Sequence, residues 1–395
     1  MLRTAYCELR TVYCVLCTVY CELRTAYCVL RTKQPGVSIV IKRSLSPKAP
    51  DTAVTTGYRS PRCANRAPRT KHRTPVFWGL LALAACSPDG GRSGQQATQR
   101  EKETERSVLV VYNAGSLARP LRAALDTFAT REKAVIEQES AGSLETARKL
   151  TELGKIPDII ALADYEVFPQ LLMPDFANWY VLFAQNRMVI AYTDRSRHAT
   201  EITPANWWEV LLRRKVEIGR SNPALDPAGY RTLLVFQLAE RYYKSDGLAE
   251  RLVRSVPARN IRPKEVDLVA LLQAGELDYA WEYESVARAA GLRFVQLPHE
   301  IDLGSPGDSA FYAQASVRVP GKTPSDTITF RGEPVVYAFS IPIGAPHPDV
   351  AQRFATYLMS EGKAVLRLNH LPALEQPLLV GKGAPARIAA LAAGR

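Results

Sequence analysis

An α/β fold of two lobes, each a mostly parallel sheet flanked by helices and joined by two hinge strands, is the class this chain predicts. Three observations lead there. Strand, small-residue turn and helix follow one another twice between residues 108 and 162. Two extended apolar runs, Trp179–Phe183 and Met188–Tyr192, then carry the chain into a second region with its own strand, turn and helix pattern. The length, 395 residues, also favours two lobes or domains over a single core. The expected division places residues 107–190 and 335–395 in the first lobe and 191–334 in the second.

Val108–Tyr112 is apolar without alternation, the mark of a strand buried on both faces. It runs into Asn113-Ala114-Gly115-Ser116 and a helical pattern from Leu117 to about Arg131. Val135–Glu139 is a second strand, followed by Ser140-Ala141-Gly142-Ser143 and a helix over Leu144–Leu153; Pro157–Leu162 is a third strand. In parallel sheets ligands bind beyond the carboxyl ends of the strands, where both Gly-Ser turns fall. Glycine admits a close backbone approach and serine supplies a hydroxyl and an N–H at a helix start. Each turn alone reads equally well as a helix cap. Further on, Asn206–Leu212 is helical, Val266–Ala274 is a helix, Asp278–Trp281 a strand and Val335–Ile341 the last strong strand. The tail, with a helix around Asp349–Ser360, is expected to be helical and to fold back on the first lobe.

The most unusual stretch is Ser221-Asn222-Pro223-Ala224-Leu225-Asp226-Pro227-Ala228-Gly229-Tyr230-Arg231. It follows a short apolar run and opens a helix over Pro227–Tyr243, with Asp226 at the N-cap and proline at the first helical position. Pro227 has no N–H, so Ala228, Gly229 and Tyr230 carry the first free donors. Such an end attracts anions, yet this one carries its own carboxylate. Glu282 falls at the carboxyl end of the Asp278–Trp281 strand, where a solvated charge favoured by the helix dipole is the plain alternative.

The formal charge of +12 is concentrated at the front of the chain. Residues 1–85 hold 14 Lys/Arg against 3 Asp/Glu (+11), leaving 37 against 36 for the remainder, so a nucleic-acid partner is rejected. Residues 2–32 repeat with period seven and contain five of the seven cysteines. Thr, Tyr and Cys in consecutive positions do not make a coiled coil. Residues 1–70 therefore read as a mis-called or disordered leader. A basic Lys71-His72-Arg73, an apolar Val76–Leu83 and Leu83-Ala84-Ala85-Cys86 read as a lipoprotein signal over 71–85, with lipid on Cys86 and a polar tether over 86–106. An ordinary signal peptide with an incidental cysteine is the alternative. Ser87–Arg395 has no cysteine, which removes disulfide and thiolate chemistry.

From about Val108 to Pro372 the chain resembles the tungstate/molybdate-binding proteins of ABC importers, in their carboxylate-lined archaeal-type group. The words that carry the resemblance include Ala114-Gly115-Ser116-Leu117, Ser140-Ala141-Gly142-Ser143, Asn178-Trp179-Tyr180, Ser221-Asn222-Pro223, Asp226-Pro227, Ile261-Arg262-Pro263-Lys264-Glu265-Val266-Asp267 and Trp281-Glu282-Tyr283. The resemblance implies a periplasmic-binding-protein fold of the class II type, acting as a monomer that captures tungstate or molybdate. Gly115, Ser116, Ser143, the Ala228 N–H and Tyr283 would donate to the oxyanion, and Asp226 and Glu282 would be its carboxylate ligands. It also implies an extracytoplasmic location, a membrane link through the Cys86 lipid only, and delivery to a permease with its ATPase. No resident cofactor is expected. Ala228 departs from the family, which usually has cysteine after Asp-Pro, and the Tyr243–Ile261 segment is shorter than usual.

Two carboxylates facing a sulfate or phosphate dianion would repel it strongly in a dry cleft. Tungsten and molybdenum in the +6 state have empty d orbitals and accept two further oxygens, and hard metals of high charge suit carboxylate oxygen. The neighbouring alternatives are another oxyanion or a metal such as sulfate, phosphate or ferric iron. A hydrolase built on paired carboxylates is a more distant one. Serine catalysis at Ser116 or Ser143 requires a histidine base, and His198, His299, His347 and His370 lie in no recognisable motif. No Gly-x-x-x-x-Gly-Lys-Ser/Thr loop occurs, so ATP hydrolysis belongs to another chain.

Overall fold

The computed structural model describes residues 107–321 and 326–394. The heptad repeat, the leader, the signal, Cys86 and the tether all lie outside the described residues.

The chain opens with β1 (Val108–Ala114), β2 (Val135–Ala141), β3 (Ile159–Leu162) and β4 (Trp179–Gln185). It crosses to a second sheet made of β5 (Met188–Tyr192), β6 (Ile218–Ser221), β7 (Ile261–Arg262), β8 (Tyr279–Tyr283) and β9 (Arg293–Gln296). An antiparallel hairpin, β10 (Ser316–Pro320) and β11 (Thr327–Arg331), precedes the return to the first sheet through β12 (Val336–Ser340), β13 (Ala373–Gly381) and β14 (Ala393–Gly394). The seven-stranded first sheet has the order β14-β13-β4-β12-β3-β1-β2, and the five-stranded second sheet β7-β6-β8-β5-β9.

Both sheets are mixed, which corrects the expectation of mostly parallel ones. β1 runs parallel to β2 and β3, and β6 parallel to β7 and β8. β12 is antiparallel to β3 and β4, β13 to β4, and β5 to β8 and β9. The cause is the crossing. β4 leaves the first sheet and β12 re-enters it, so these strands run against the direction set by the helical connections. The tail also departs from expectation. After helices Pro348–Met359 and Gly362–Leu368 it forms the nine-residue β13 beside β4. Pro377 sits within the register shift between Ala373 and Leu378, the sort of place where a strand tolerates a missing N–H.

The Ala118–Glu132 helix buries Leu121, Ala124, Leu125 and Phe128, spaced three and four apart as one face requires. Phe128 meets Phe354 of the Pro348–Met359 helix edge-on at 5.2 Å, which ties the tail to the first sheet. In the second half, Phe236 of the Pro227–Tyr243 helix packs on Trp281 of β8 at 5.1 Å, and Trp207 on the same ring at 5.5 Å. Burying Phe236 contributes on the order of 2 kcal/mol and clamps the start of that helix over the strand ends.

Only Asn186 and Arg187 separate β4 from β5. The Asn186 N–H donates to the Val335 carbonyl at 3.0 Å, Met188 N–H to Asp302 at 2.8 Å and Val335 N–H to Leu303 at 2.7 Å. The outward and return crossings thus lie side by side. Arg187 adds ion pairs to Glu284 at 3.1 Å and Asp302 at 3.5 Å.

Candidate functional site

Two glycine turns and two acids face each other. β1 and β2 are paired with Ala114 opposite Ala141, so the turns that follow, Gly115-Ser116 and Gly142-Ser143, emerge together. Across from them, β6 and β7 are parallel with Ser221 opposite Arg262, and the loops beyond their carboxyl ends carry Asp226 and Glu265. A Cβ on Gly115 would stand 3.2 Å from Glu265 Oε2. A Cβ on Gly142 would stand 3.1 Å from the Asp226 Cβ and only 2.3 Å from the Leu225 carbonyl oxygen. Each turn therefore approaches one acid, and glycine is required at 142 for the approach to happen at all.

Asp226 occupies the N-cap with extended backbone (φ −137, ψ 131), as its position before Pro227 predicts, but its side chain caps nothing. Its Oδ2 instead accepts the Glu265 N–H at 3.1 Å. Asp226, Glu265 and Glu282 are all essentially without solvent exposure. Asp226 Oδ1, both carboxyl oxygens of Glu265 and Glu282, and the nearby Ser221 hydroxyl find no well-aligned hydrogen-bond partner, although Asp226 lies within reach of Glu265 and Ser221, and Glu265 within reach of Ser116. Native interiors rarely leave such groups unmet, so their concentration in one place singles it out as the candidate binding site.

Burial raises all three acids above their usual range. Glu265 is raised further by the Asp226 charge, and Glu282 further by Glu265 and then Asp226. For Asp226, burial outweighs the lowering effects of Glu265, Ser221 and Arg231. Burial and mutual repulsion thus both work against the charged form of these acids in the empty site.

The donors come mostly from the other side. Ser143 Oγ accepts the Ala163 N–H at 3.0 Å, which leaves its own proton free to donate. Ser116 Oγ accepts from the Tyr337 hydroxyl at 3.1 Å. Neither serine caps its helix, so capping does not account for the two turns. Tyr283, at the end of β8, accepts from Arg231 Nη1 at 2.7 Å and is likewise left with a proton to give. Arg231 is itself buried, bonded to the Ala163 carbonyl at 2.8 Å and to Asp164 at 2.9 Å. Ala228 is buried in the first turn of the Pro227–Tyr243 helix, where its N–H has no intrahelical acceptor.

Sequence reasoning paired Glu282 with Asp226 and did not single out Glu265, which the structure adds as a third buried acid. Alternation along β8 sets the direction of Glu282. Tyr279, Trp281 and Tyr283 face the large core, whereas Ala280 faces the small cluster of Val189, Leu268 and Leu272 under the Val266–Ala274 helix. Glu282 shares the face of Ala280, and its cross-strand partner is Val189. The signal for Glu265 was present in Ile261–Asp267: an acid between a strand and an apolar helix, as with Asp226. The strand, β7, is two residues long and invisible to periodicity. Among the described residues no three His, Cys, Asp or Glu side chains converge as a cage for a bare cation.

A family model described as bacterial extracellular solute-binding protein matches residues 109–370. This chain belongs to that family. It is 45% identical over 278 residues to an uncharacterized solute-binding protein of Petrotoga mobilis, covering 68% of this chain and 84% of the relative. It is 36% identical over 319 residues to the molybdate/tungstate-binding protein WtpA of Pyrococcus abyssi, covering 74% and 91%. Among solved structures it is similar to the periplasmic molybdate-binding protein of Azotobacter vinelandii, at 16% identity and a TM-score of 0.48, covering 68% of this chain and all of the other. Membership places the working part of this solute-binding protein outside the cytoplasm. No helix among the described residues is long and apolar enough to cross a membrane.

Proposed function

We propose that this solute-binding protein captures tungstate or molybdate and delivers it to an ABC permease. The observation that carries the reading is the pair of buried acids, Asp226 and Glu265, which carry unpartnered oxygens and each pack against one of two glycine turns. In this reading Asp226 and Glu265 each give one oxygen to the central atom, expanding it from four- to six-coordinate. Ser116, Ser143, Tyr283 and the N–H groups of Gly115 and Ala228 bind its four oxo groups. Glu282 is the third buried acid beside them. Sulfate and phosphate cannot expand in this way and would meet two acids without compensation. A site for ferric iron calls for several convergent anionic ligands, which the described residues do not provide.

The two sheets act as the lobes of a clamp, dividing at Asn186–Arg187 and near Val335, with the paired crossings as hinge. The protein works as a monomer, held to the membrane by lipid on Cys86. It is not an enzyme: Ser116 and Ser143 are bonded to a tyrosine hydroxyl and a backbone N–H. His198, His299 and His347 pair elsewhere, with Glu201, Asp308 and Asp158. Elemental analysis of protein purified from tungstate- and molybdate-supplemented cells tests the assignment. One tungsten or molybdenum per chain is the expected result; protein loaded with sulfate, phosphate or iron instead ends it.

A further inference from the structure

A buried hydroxyl can donate or accept, and its neighbours decide which. Asn186, in the first crossing, is buried. Its Oδ1 accepts the N–H groups of Arg187 at 3.0 Å and Ser285 at 3.3 Å, and these can only donate. That fixes the amide orientation and turns Nδ2 toward Ser285 Oγ at 2.7 Å and the Tyr337 hydroxyl at 3.0 Å. An amide NH2 cannot accept, so Tyr337 accepts here. Tyr337 is fully buried, and its proton goes to its other neighbour, Ser116 Oγ at 3.1 Å. Withholding it would bury an unused donor. Having accepted, Ser116 sends its own proton onward to the space in front of Glu265.

We propose that Asn186 and Tyr337 are positioning residues, forming a one-way relay from the hinge that commits the Ser116 hydroxyl to donate to the bound oxyanion. The proposal rests on the oxyanion reading above. Asn186 also holds Ser285, at the start of the Glu284–Ala289 helix of the second half. The relay is complete only while the crossing keeps this geometry, so hinge position and donor readiness are one state.

The test is tungstate titration calorimetry on the full-length protein and its Tyr337→Phe, Ser116→Ala and doubly substituted variants. Loss of an aligned bond to a charged group predicts about tenfold weaker binding for Tyr337→Phe, with a ligand-free melting temperature near wild type. Because Tyr337 acts through Ser116, the double variant binds no more weakly than Ser116→Ala alone. A purely structural role for Tyr337 predicts additive losses, and additive losses overturn the relay. Unchanged affinity in Tyr337→Phe overturns it too. A wild-type protein that binds neither tungstate nor molybdate defeats the underlying reading and the relay with it, a result distinct from both. Should Tyr337→Phe not fold, Asn186→Ala takes its place in the same cycle.

Discussion

The two halves of the site are finished to different degrees. On the first sheet's side the hydroxyls are already tied in place: Ala163 N–H holds Ser143, and Tyr337 holds Ser116. On the second sheet's side Asp226, Glu265 and Glu282 are buried with oxygens that nothing satisfies. Donors need pre-set directions and can be built complete. In the proposed reading the acids become ligands, and for that they must be left incomplete in the empty protein. Affinity therefore depends on the acids, and orientation on the donors.

The largest effect expected to sharpen this contrast comes from removing one acid. Asp226→Ala or Glu265→Ala should weaken tungstate binding by at least about a hundredfold, since breaking one partner of a buried charged set costs roughly 3–5 kcal/mol. Calorimetry giving wild-type affinity in either variant would break the comparison. Next comes Gly142→Ala. Its Cβ would meet the Leu225 carbonyl at 2.3 Å, a backbone atom that cannot swing aside. A strain of roughly 1–3 kcal/mol predicts affinity lower by about five- to a hundredfold, measured as a faster off-rate.

A subtler effect is in pH. An acid whose folded pKa is raised favours folding while protonated, so its contribution is full below its unfolded pKa and declines as pH rises toward the folded value. Asp302 at the crossing is pushed up to about 6 by burial. Asp226, Glu265 and Glu282 are raised in the same direction. The ligand-free melting temperature should therefore fall as pH rises from about 4 through about 6, and Glu265→Gln should reduce the fall. A ligand-free protein that grows more stable over that range contradicts the raised carboxyls. The smallest effect belongs to Glu282→Gln. For a residue outside the proposed ligand pair the amide is a close replacement, so affinity should change less than about threefold; a loss equal to that of Glu265→Gln would return Glu282 to the ligand pair.

Much of the frame could be read from the chain, because β1, β3, β4 and β5 are apolar runs bounded by turns. Asp226 before Pro227 fixed the start of its helix in the same way. The rest escaped for identifiable reasons. β13 contains Pro377 and the polar pair Glu375-Gln376, which argue against a strand until β4 is beside it. β9 is four residues opening on an exposed arginine. Glu282 was legible at the end of its strand, whereas Glu265, behind the two-residue β7, comes into view only through the approach of Gly115. Asn186 and Tyr337 showed no motif at all, since their part depends on a contact between residues 151 positions apart.

The Leu225 carbonyl receives the N–H groups of Leu144 and Glu145, at 3.1 and 3.2 Å. The positive end of the Ser143–Thr151 helix, where an ordinary tetrahedral anion would settle, is thus already taken by the protein's own chain. On the proposed reading, a sulfate or phosphate reaching this site forfeits the usual reward of a helix terminus and gains nothing from the carboxyls, so part of the discrimination would rest on the closed backbone itself.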